Sequence, residues 1–384
     1  MSKTSADLFS GAGGVAKGAK LAGYEHAWGL EYSPAIAEIY RENIGQVYVQ
    51  DILEANPYKF EKIDLLHASP VCKSFSTANA NKGEKQLDID CAKKVVEFIQ
   101  VLQPPTFTLE NVQAYAKSKA FNIIVEALYA QGYWVNYQVL NAADFGVPQS
   151  RRRLILIAVK SGFIPPLPPK QKHVGWYAAI ADLVHDLPDS KLADWQLKAL
   201  PDEIKEHLLL SGTYVSHSNK IPDMRSPSTP CFTQTATIDK HPTRCLLIEN
   251  TGARSDRELQ TRTANEPCWT LRAMGQDGHY HRANALLIHP TEQRSDKPFK
   301  YINEPFKYIN EPCHTILANH GGENIKALLE NAKIKALDIR CLARLQSFPD
   351  DYKWTGKKSI DGMGIGNSVP PLMYKAISEI LLPY

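Results

Sequence analysis

This sequence predicts an α/β fold, a mainly parallel sheet under covering helices joined to a second, smaller, loop-rich domain, and three observations carry the prediction. Residues 1–160 alternate short apolar runs with helical patterns, the signature of strands joined by helical crossovers. Composition then breaks at Phe163-Ile-Pro-Pro-Leu-Pro-Pro169, where four prolines remove backbone donors and stiffen the chain. Helical periodicity returns in 334–346, and Gly364-Ile-Gly-Asn-Ser-Val-Pro-Pro371 leads into a final helix. The expected domains are therefore 1–165 plus 336–384, and 166–335. A chain of 384 residues also exceeds the size at which a single core stops growing.

The strands are expected at Ala6-Asp-Leu-Phe9, His26-Ala-Trp-Gly-Leu-Glu31, Val47-Tyr-Val49, Ile63-Asp-Leu-Leu66, Thr106-Phe-Thr-Leu109 and Leu154-Ile-Leu-Ile-Ala158. No run of eighteen apolar residues occurs, and Met1-Ser-Lys-Thr-Ser-Ala-Asp7 lacks the basic-then-apolar order of a secretory signal, so a cytoplasmic protein with no membrane partner is expected. Seven cysteines, at 72, 91, 231, 245, 268, 313 and 341, include no Cys-x-x-Cys pair, which argues against a zinc site. Their odd count suits a reducing compartment. A net charge of +3 permits a nucleic-acid partner without demanding one, because a local basic face can hide inside a near-neutral total.

Between 166 and 335 the periodicity weakens and turn residues, arginines and histidines become frequent, the pattern of a partly β domain. It holds an internal repeat: Thr229-Pro-Cys-Phe-Thr233, Glu266-Pro-Cys-Trp-Thr270 and Glu311-Pro-Cys-His-Thr315. The repeated prolines are 37 and then 45 residues apart, and the longer interval contains a tandem duplication, Phe299-Lys-Tyr-Ile-Asn-Glu-Pro305 followed by Phe306-Lys-Tyr-Ile-Asn-Glu-Pro312. Without the seven duplicated residues the longer interval would be 38, nearly the first spacing, as expected if slippage lengthened one loop. The repeat cysteines read as small buried residues rather than nucleophiles or ligands.

The chemistry gathers at strand ends. In an open parallel sheet the carboxyl ends of the strands line the ligand crevice, and there Ser69-Pro-Val-Cys72-Lys-Ser74, Glu110-Asn111-Val112 and Gln149-Ser-Arg151-Arg-Arg153 bring a thiol, a carboxylate and two guanidiniums. Lys73 favours the Cys72 thiolate. A carboxylate in a dry cleft can hold a proton for donation at neutral pH, a role that fits Glu110. Side chains alternate along a strand, so Arg151 and Arg153 share a face and Arg152 points away; an anionic or carbonyl-rich ligand would suit the pair.

Gly11-Ala-Gly13-Gly-Val-Ala16 follows the first strand and opens a helix, where backbone can approach a ligand. Glu31 ends the next strand, placed to accept hydrogen bonds from ribose hydroxyls. A nicotinamide-dependent dehydrogenase would need the same features. Asp51 suits either an adenine amino group or a simple turn.

Asp7-Leu-Phe-Ser-Gly-Ala-Gly-Gly14, the Pro-Val-Cys region around Cys72, Glu110-Asn-Val112, Gln149-Ser-Arg-Arg-Arg153, Arg344-Leu-Gln-Ser-Phe-Pro349 and Gly366-Asn-Ser-Val369 stand in the order found in the DNA cytosine-5 methyltransferases, which the chain resembles at both ends. The resemblance implies a Rossmann-like S-adenosylmethionine-dependent methyltransferase sheet, with 166–335 as a target-recognition domain. It implies Cys72, Glu110, Arg151 and Arg153 as catalytic residues: Cys72 adds to the ring, Glu110 meets ring nitrogen 3, Arg153 orients the base carbonyl and Arg151 supports the loop carrying Cys72. At S-adenosylmethionine it implies Phe9, stacked on the adenine, with Gly11, Gly13, Glu31, Asp51, Ile52, Pro70, Asn367, Ser368 and Val369, and it implies no metal. The partners would be double-stranded DNA and, acting separately, a cognate restriction endonuclease, the enzyme itself being a monomer. One departure is Val71-Cys72-Lys73 where the family has Pro-Cys-Gln; activity is expected to survive it. Cys231-Phe-Thr233 resembles a signature of tRNA-methylating relatives but is one copy of the internal repeat. An oxidoreductase and a catalytically silent DNA binder are the rival readings.

Deleting residues 306–312 is expected to leave solubility and methylation largely intact; an insoluble or inactive product would contradict the slippage.

Overall fold

A computed structural model describes residues 2–71, 83–190, 208–216, 221–233, 244–248 and 332–384. Cys72 and the second and third repeat copies lie outside the described residues. The chain divides into two compact units, Met1–Val174 with Thr233–Asp239 and Leu342–Tyr384, and Gly175–Phe232 with Lys240–Cys341.

The first unit holds a seven-stranded sheet. In chain order its elements are β1 (Thr4–Leu8), α1 (Gly14–Leu21), β2 (Glu25–Glu31), α2 (Pro34–Asn43), β3 (Val47–Val49), β4 (Leu65–Ala68), α3 (Gln86–Leu102), β5 (Thr106–Asn111), α4 (Lys119–Ala130), β6 (Trp134–Asn141) and β7 (Arg152–Val159). The spatial order is β3-β2-β1-β4-β5-β7-β6. Strands β3 to β5 pair in parallel, whereas β7 runs antiparallel to both β5 and β6. The order reverses between β1 and β4, the switch point at which open α/β sheets bind ligands.

Alternation along β7 shows how the layers form. Leu154, Leu156 and Ala158 join a core with Val95, Phe98 and Ile99 of α3 and Phe121, Ile124 and Leu128 of α4. Ile155, Ile157 and Val159 enter a second core on the opposite face, with Val15 and Ala19 of α1 and Met373, Tyr374 and Ile377 of the last helix. Strand β6, absent from the expected strands, is the sheet edge: Trp134, Tyr137 and Val139 are exposed and only Leu140 is buried, so neither an apolar run nor a clean alternation marks it.

The second unit contains α5 (Trp176–Val184) and a four-stranded antiparallel sheet of β8 (Leu208–Ser216), β9 (Ile221–Arg225), β10 (Arg244–Ile248) and β11 (Ala332–Ala336), ordered β11-β10-β8-β9. Trp176 is buried and its indole donates to the Arg225 carbonyl at 3.2 Å. Cys231, in the first repeat copy, is fully buried. After β11 come α6 (Ile339–Leu345), α7 (Lys358–Asn367) and α8 (Pro371–Glu379).

Helix α8 lies against α1 at a glycine. A Cβ on Gly18 would stand 2.6 Å from the Pro371 carbonyl oxygen and 2.9 Å from the Lys375 nitrogen, both backbone atoms that cannot swing aside. Gly18→Ala is therefore expected to destabilise the protein by about 1–3 kcal/mol through overpacking, read as a lower urea midpoint; an unchanged midpoint would show that the two helices can separate freely.

Candidate active site

The site grows from the carboxyl edge of the sheet. Strand β1 ends at Leu8, and its successor Phe9 takes a left-handed backbone, φ 58°, a conformation that non-glycine residues seldom hold. Phe9 rests, partly buried, against the apolar core. The glycines that follow have different reasons. A Cβ on Gly11, at φ +56°, would meet only the Phe9 carbonyl oxygen, 4.0 Å away, so the space beside it is open. One on Gly13 would come within 2.7 Å of Ile44 and 2.8 Å of the Tyr352 hydroxyl, so packing as well as its φ of +90° requires glycine there.

Glu31 is fixed from two sides. The Gly11 N–H donates to its Oε2 and the Ser33 N–H to its Oε1, both at 2.9 Å, which leaves a lone pair on each oxygen for another donor. Asp51 accepts the Leu53 N–H at 3.0 Å and caps a short helical turn, and Ile52 is buried in the core beside it.

Strand β4 feeds the segment that carries Cys72. Ser69 continues the ladder, its N–H donating to the Leu8 carbonyl at 3.3 Å. The Pro70 carbonyl accepts the Asn111 side-chain N–H at 3.0 Å, so the last residue of β5 holds the segment two residues before the thiol. Cys72 itself lies outside the described residues.

Glu110, 6% exposed, stands directly opposite Ile155 in the β5–β7 register. Arg153 is two residues along on the same face of β7, a diagonal neighbour within reach of a long side chain, and its Nε donates to Glu110 Oε1 at 3.0 Å. Arg152 is exposed, whereas Arg151 is buried. Arg151 Nη2 donates to the Gly366 carbonyl at 3.0 Å, tying the arginine segment to α7. The two guanidiniums expected to face a ligand together thus differ in their surroundings: one joins the carboxylate and the other grips backbone.

The late sequence block is tied to the arginine segment by hydrogen bonds. Gln149 Nε2 donates to Gln346 Oε1, and Gln346 Nε2 to the Ser368 carbonyl, each at 2.6 Å. Ser368 and Val369 are buried and Asn367 is exposed.

Sequence reasoning missed a buried polar chain behind Glu110. His67 faces Thr108 across the β4–β5 ladder, and His67 Nδ1 lies 2.8 Å from Thr108 Oγ1. His67 Nε2 lies 2.8 Å from Ser69 Oγ, which donates to Glu110 Oε2 at 3.3 Å. Thr108 in turn meets the Tyr374 hydroxyl at 2.7 Å. The i, i+2 spacing of His67 with Ser69 and of Thr108 with Glu110 was the available signal.

A family model for C-5 cytosine-specific DNA methylases matches residues 4–382. The chain belongs to that family. It is 28% identical over 399 residues to the type II methyltransferase M1.HphI of Haemophilus parahaemolyticus, covering all of this chain and 87% of that protein. It is 27% identical over 400 residues to M.DdeI of Desulfomicrobium norvegicum, covering 97% and 87%. Among solved structures, the Dnmt2 methyltransferase of S. pombe superposes with a TM-score of 0.58 at 14% identity over 99% of this chain and 98% of that one. An E. coli prophage DNA modification methyltransferase gives 0.53 at 19%, over the same shares. The fold is thus the Rossmann-like methyltransferase fold expected, and the chain is a DNA (cytosine-5-)-methyltransferase whose family uses S-adenosylmethionine as methyl donor. Membership decides the oxidoreductase alternative against the nicotinamide reading. No helix among the described residues is long and apolar enough to cross a membrane.

Burial pushes the His67 imidazole down to about 3, so it is neutral at physiological pH. The unfolded chain binds a proton on this residue below its ordinary value of 6.5 while the folded protein does not, so His67 makes stability fall as pH drops from 6.5 toward 3. Asp7 acts with the opposite sign, because burial raises it from 3.8 to about 7 against a hydrogen bond from Tyr40. Nitrogen NMR is expected to show His67 uncharged down to about pH 4, and His67→Gln to flatten the acid side of the stability curve; a His67 titration near 6.5 would sink both.

Proposed function

We propose that this enzyme methylates carbon 5 of a cytosine in a specific double-stranded DNA sequence, on a nucleotide turned out of the helix, through a covalent bond from Cys72 to ring carbon 6. The observation that supports it most is convergence at one sheet edge: Glu110 paired with Arg153 at 3.0 Å, beside a segment that Asn111 holds by Pro70 just before Cys72.

S-adenosylmethionine supplies, when bound, an electrophilic methyl group. The residues fit that group. Phe9 offers a ring at the switch point, Gly11 open space for backbone approach and Glu31 a fixed carboxylate with free lone pairs for a ribose diol. Gly13, Asp51, Ile52, Pro70, Asn367, Ser368 and Val369 complete the proposed binding set.

Carbon 5 of cytosine is a poor nucleophile. Addition of the Cys72 thiolate to carbon 6 breaks the ring double bond and places its electron pair on carbon 5. Glu110, held by Arg153, donates a proton to ring nitrogen 3 and so neutralises the negative charge that thiolate addition puts on the ring, while Arg153 orients the base carbonyl and Arg151 supports the neighbouring loop through its grip on Gly366. Once carbon 5 carries its new substituent, its proton passes to water, the electron pair of that carbon–hydrogen bond restores the ring double bond, and the carbon–sulfur bond breaks to release the thiolate. None of these groups can reach a base inside a stacked duplex, so the nucleotide is extruded at a cost of a few kcal/mol, and residues 166–335 act as the target-recognition domain that grips the DNA. The relatives named as type II methyltransferases favour a modification enzyme, and in this proposal it acts as a monomer in the cytoplasm, beside a separate restriction endonuclease.

Duplex DNA carrying 5-fluorocytosine tests the reading, because fluorine cannot leave as a proton does and the adduct persists. The wild type is expected to form an adduct that survives denaturing gels, and Cys72→Ser to form none while still binding the methyl donor. An undiminished adduct in Cys72→Ser would falsify the nucleophile assignment. Glu110→Gln is expected to slow single-turnover methyl transfer by roughly 10²-fold or more.

A further inference from the structure

We propose that His67, acting through Ser69, is a positioning residue that holds the Glu110 carboxylate by Oε2 in one orientation, with Thr108 and Tyr374 fixing the direction of the hydrogen bonds behind it. The proposal rests on the catalytic role given to Glu110 above and goes beyond it in naming what holds that side chain on the side away from Arg153.

The chain has a single consistent polarity. A hydroxyl has one proton to give. Ser69 gives its proton to Glu110 Oε2, so the contact at 2.8 Å from His67 Nε2 requires that nitrogen to carry the proton. A neutral imidazole protonated at Nε2 is bare at Nδ1, which accepts from the Thr108 hydroxyl, and Thr108 Oγ1 accepts from Tyr374. Reversing every bond would require Glu110 to donate toward Ser69 and would leave the Tyr374 hydroxyl proton, 1% exposed, without an acceptor among the described residues.

The forward polarity therefore wins, and it keeps Oε2 an acceptor. A proton carried by Glu110 is thereby excluded from the lone pair that faces Ser69. Arg153 of β7 holds Oε1 at 3.0 Å, and Ser69, one residue past β4, holds Oε2, so the carboxylate plane is set by two partners from separate segments. His67 is itself anchored edge-on to the Tyr374 ring, with centroids 5.0 Å apart and planes at 81°. Nothing in this arrangement requires His67 to touch the substrate.

The test is single-turnover methyl transfer by the full-length enzyme, with donor and DNA affinities measured in parallel. Ser69→Ala is expected to slow transfer on the order of tenfold, the scale of one lost hydrogen bond to a charged group, with both affinities unchanged. Ser69→Thr, which retains a hydroxyl, should restore the rate. The double variant Ser69→Ala with His67→Gln should be no slower than Ser69→Ala alone, because both act through one bond. A normal rate in Ser69→Ala, a failure of Ser69→Thr to rescue it, or slowdowns that multiply in the double variant would each overturn the proposal. Glu110→Gln separates the two readings. If it transfers at the wild-type rate, the role of Glu110 falls; if it is slow while Ser69→Ala is normal, only the positioning chain falls.

Discussion

The direction of one strand governs the site. Because β7 enters the sheet antiparallel to β5, its first residues arrive at the edge where the parallel strands end. The Arg153 guanidinium meets Glu110 there. Were β7 parallel, the same arginines would lie at the opposite edge, a strand's length from the carboxylate. The crevice rule for parallel sheets thus extends to an antiparallel neighbour, provided the functional residues move from the strand's end to its start.

Around that pair the protein devotes buried polar contacts to holding segments rather than to packing. Asn111 holds Pro70, Arg151 holds Gly366, and Gln149 reaches Ser368 through Gln346. Each bond joins segments far apart in sequence, and each is buried, where an unmatched partner would cost about 1–3 kcal/mol. Loss of one tie would therefore loosen a neighbour as well as itself. The return of the chain through α7 and α8 makes the ties to Gly366 and Ser368 possible, and it brings Tyr374 behind Thr108.

The glycine turn divides its labour in a comparable way. Gly13 and Gly14 are small because the fold crowds them, the latter with a would-be Cβ 2.2 Å from the Val369 carbonyl oxygen. Gly11 has no such neighbour, and its N–H is committed to Glu31. A run of glycines that reads as one ligand-binding motif thus serves helix packing at one end and open approach at the other.

Much of this was legible in the sequence, because apolar runs, turn residues and motif order are local properties of a chain. The alternation of strands with helices and the convergence of Glu110 with Arg153 follow from the periods of strands and helices and from strand ends. Strand β6 was not legible, since an exposed edge leaves no buried face to write a pattern. Nor were the different surroundings of Arg151 and Arg153, or the chain from Tyr374 to Glu110. The sequence by itself determined that His67 and Ser69 share a face, and Thr108 and Glu110 another. Only the tertiary structure decided that those two faces are one, because the register between neighbouring strands is set by the packing of whole helices and not by the residues it brings together.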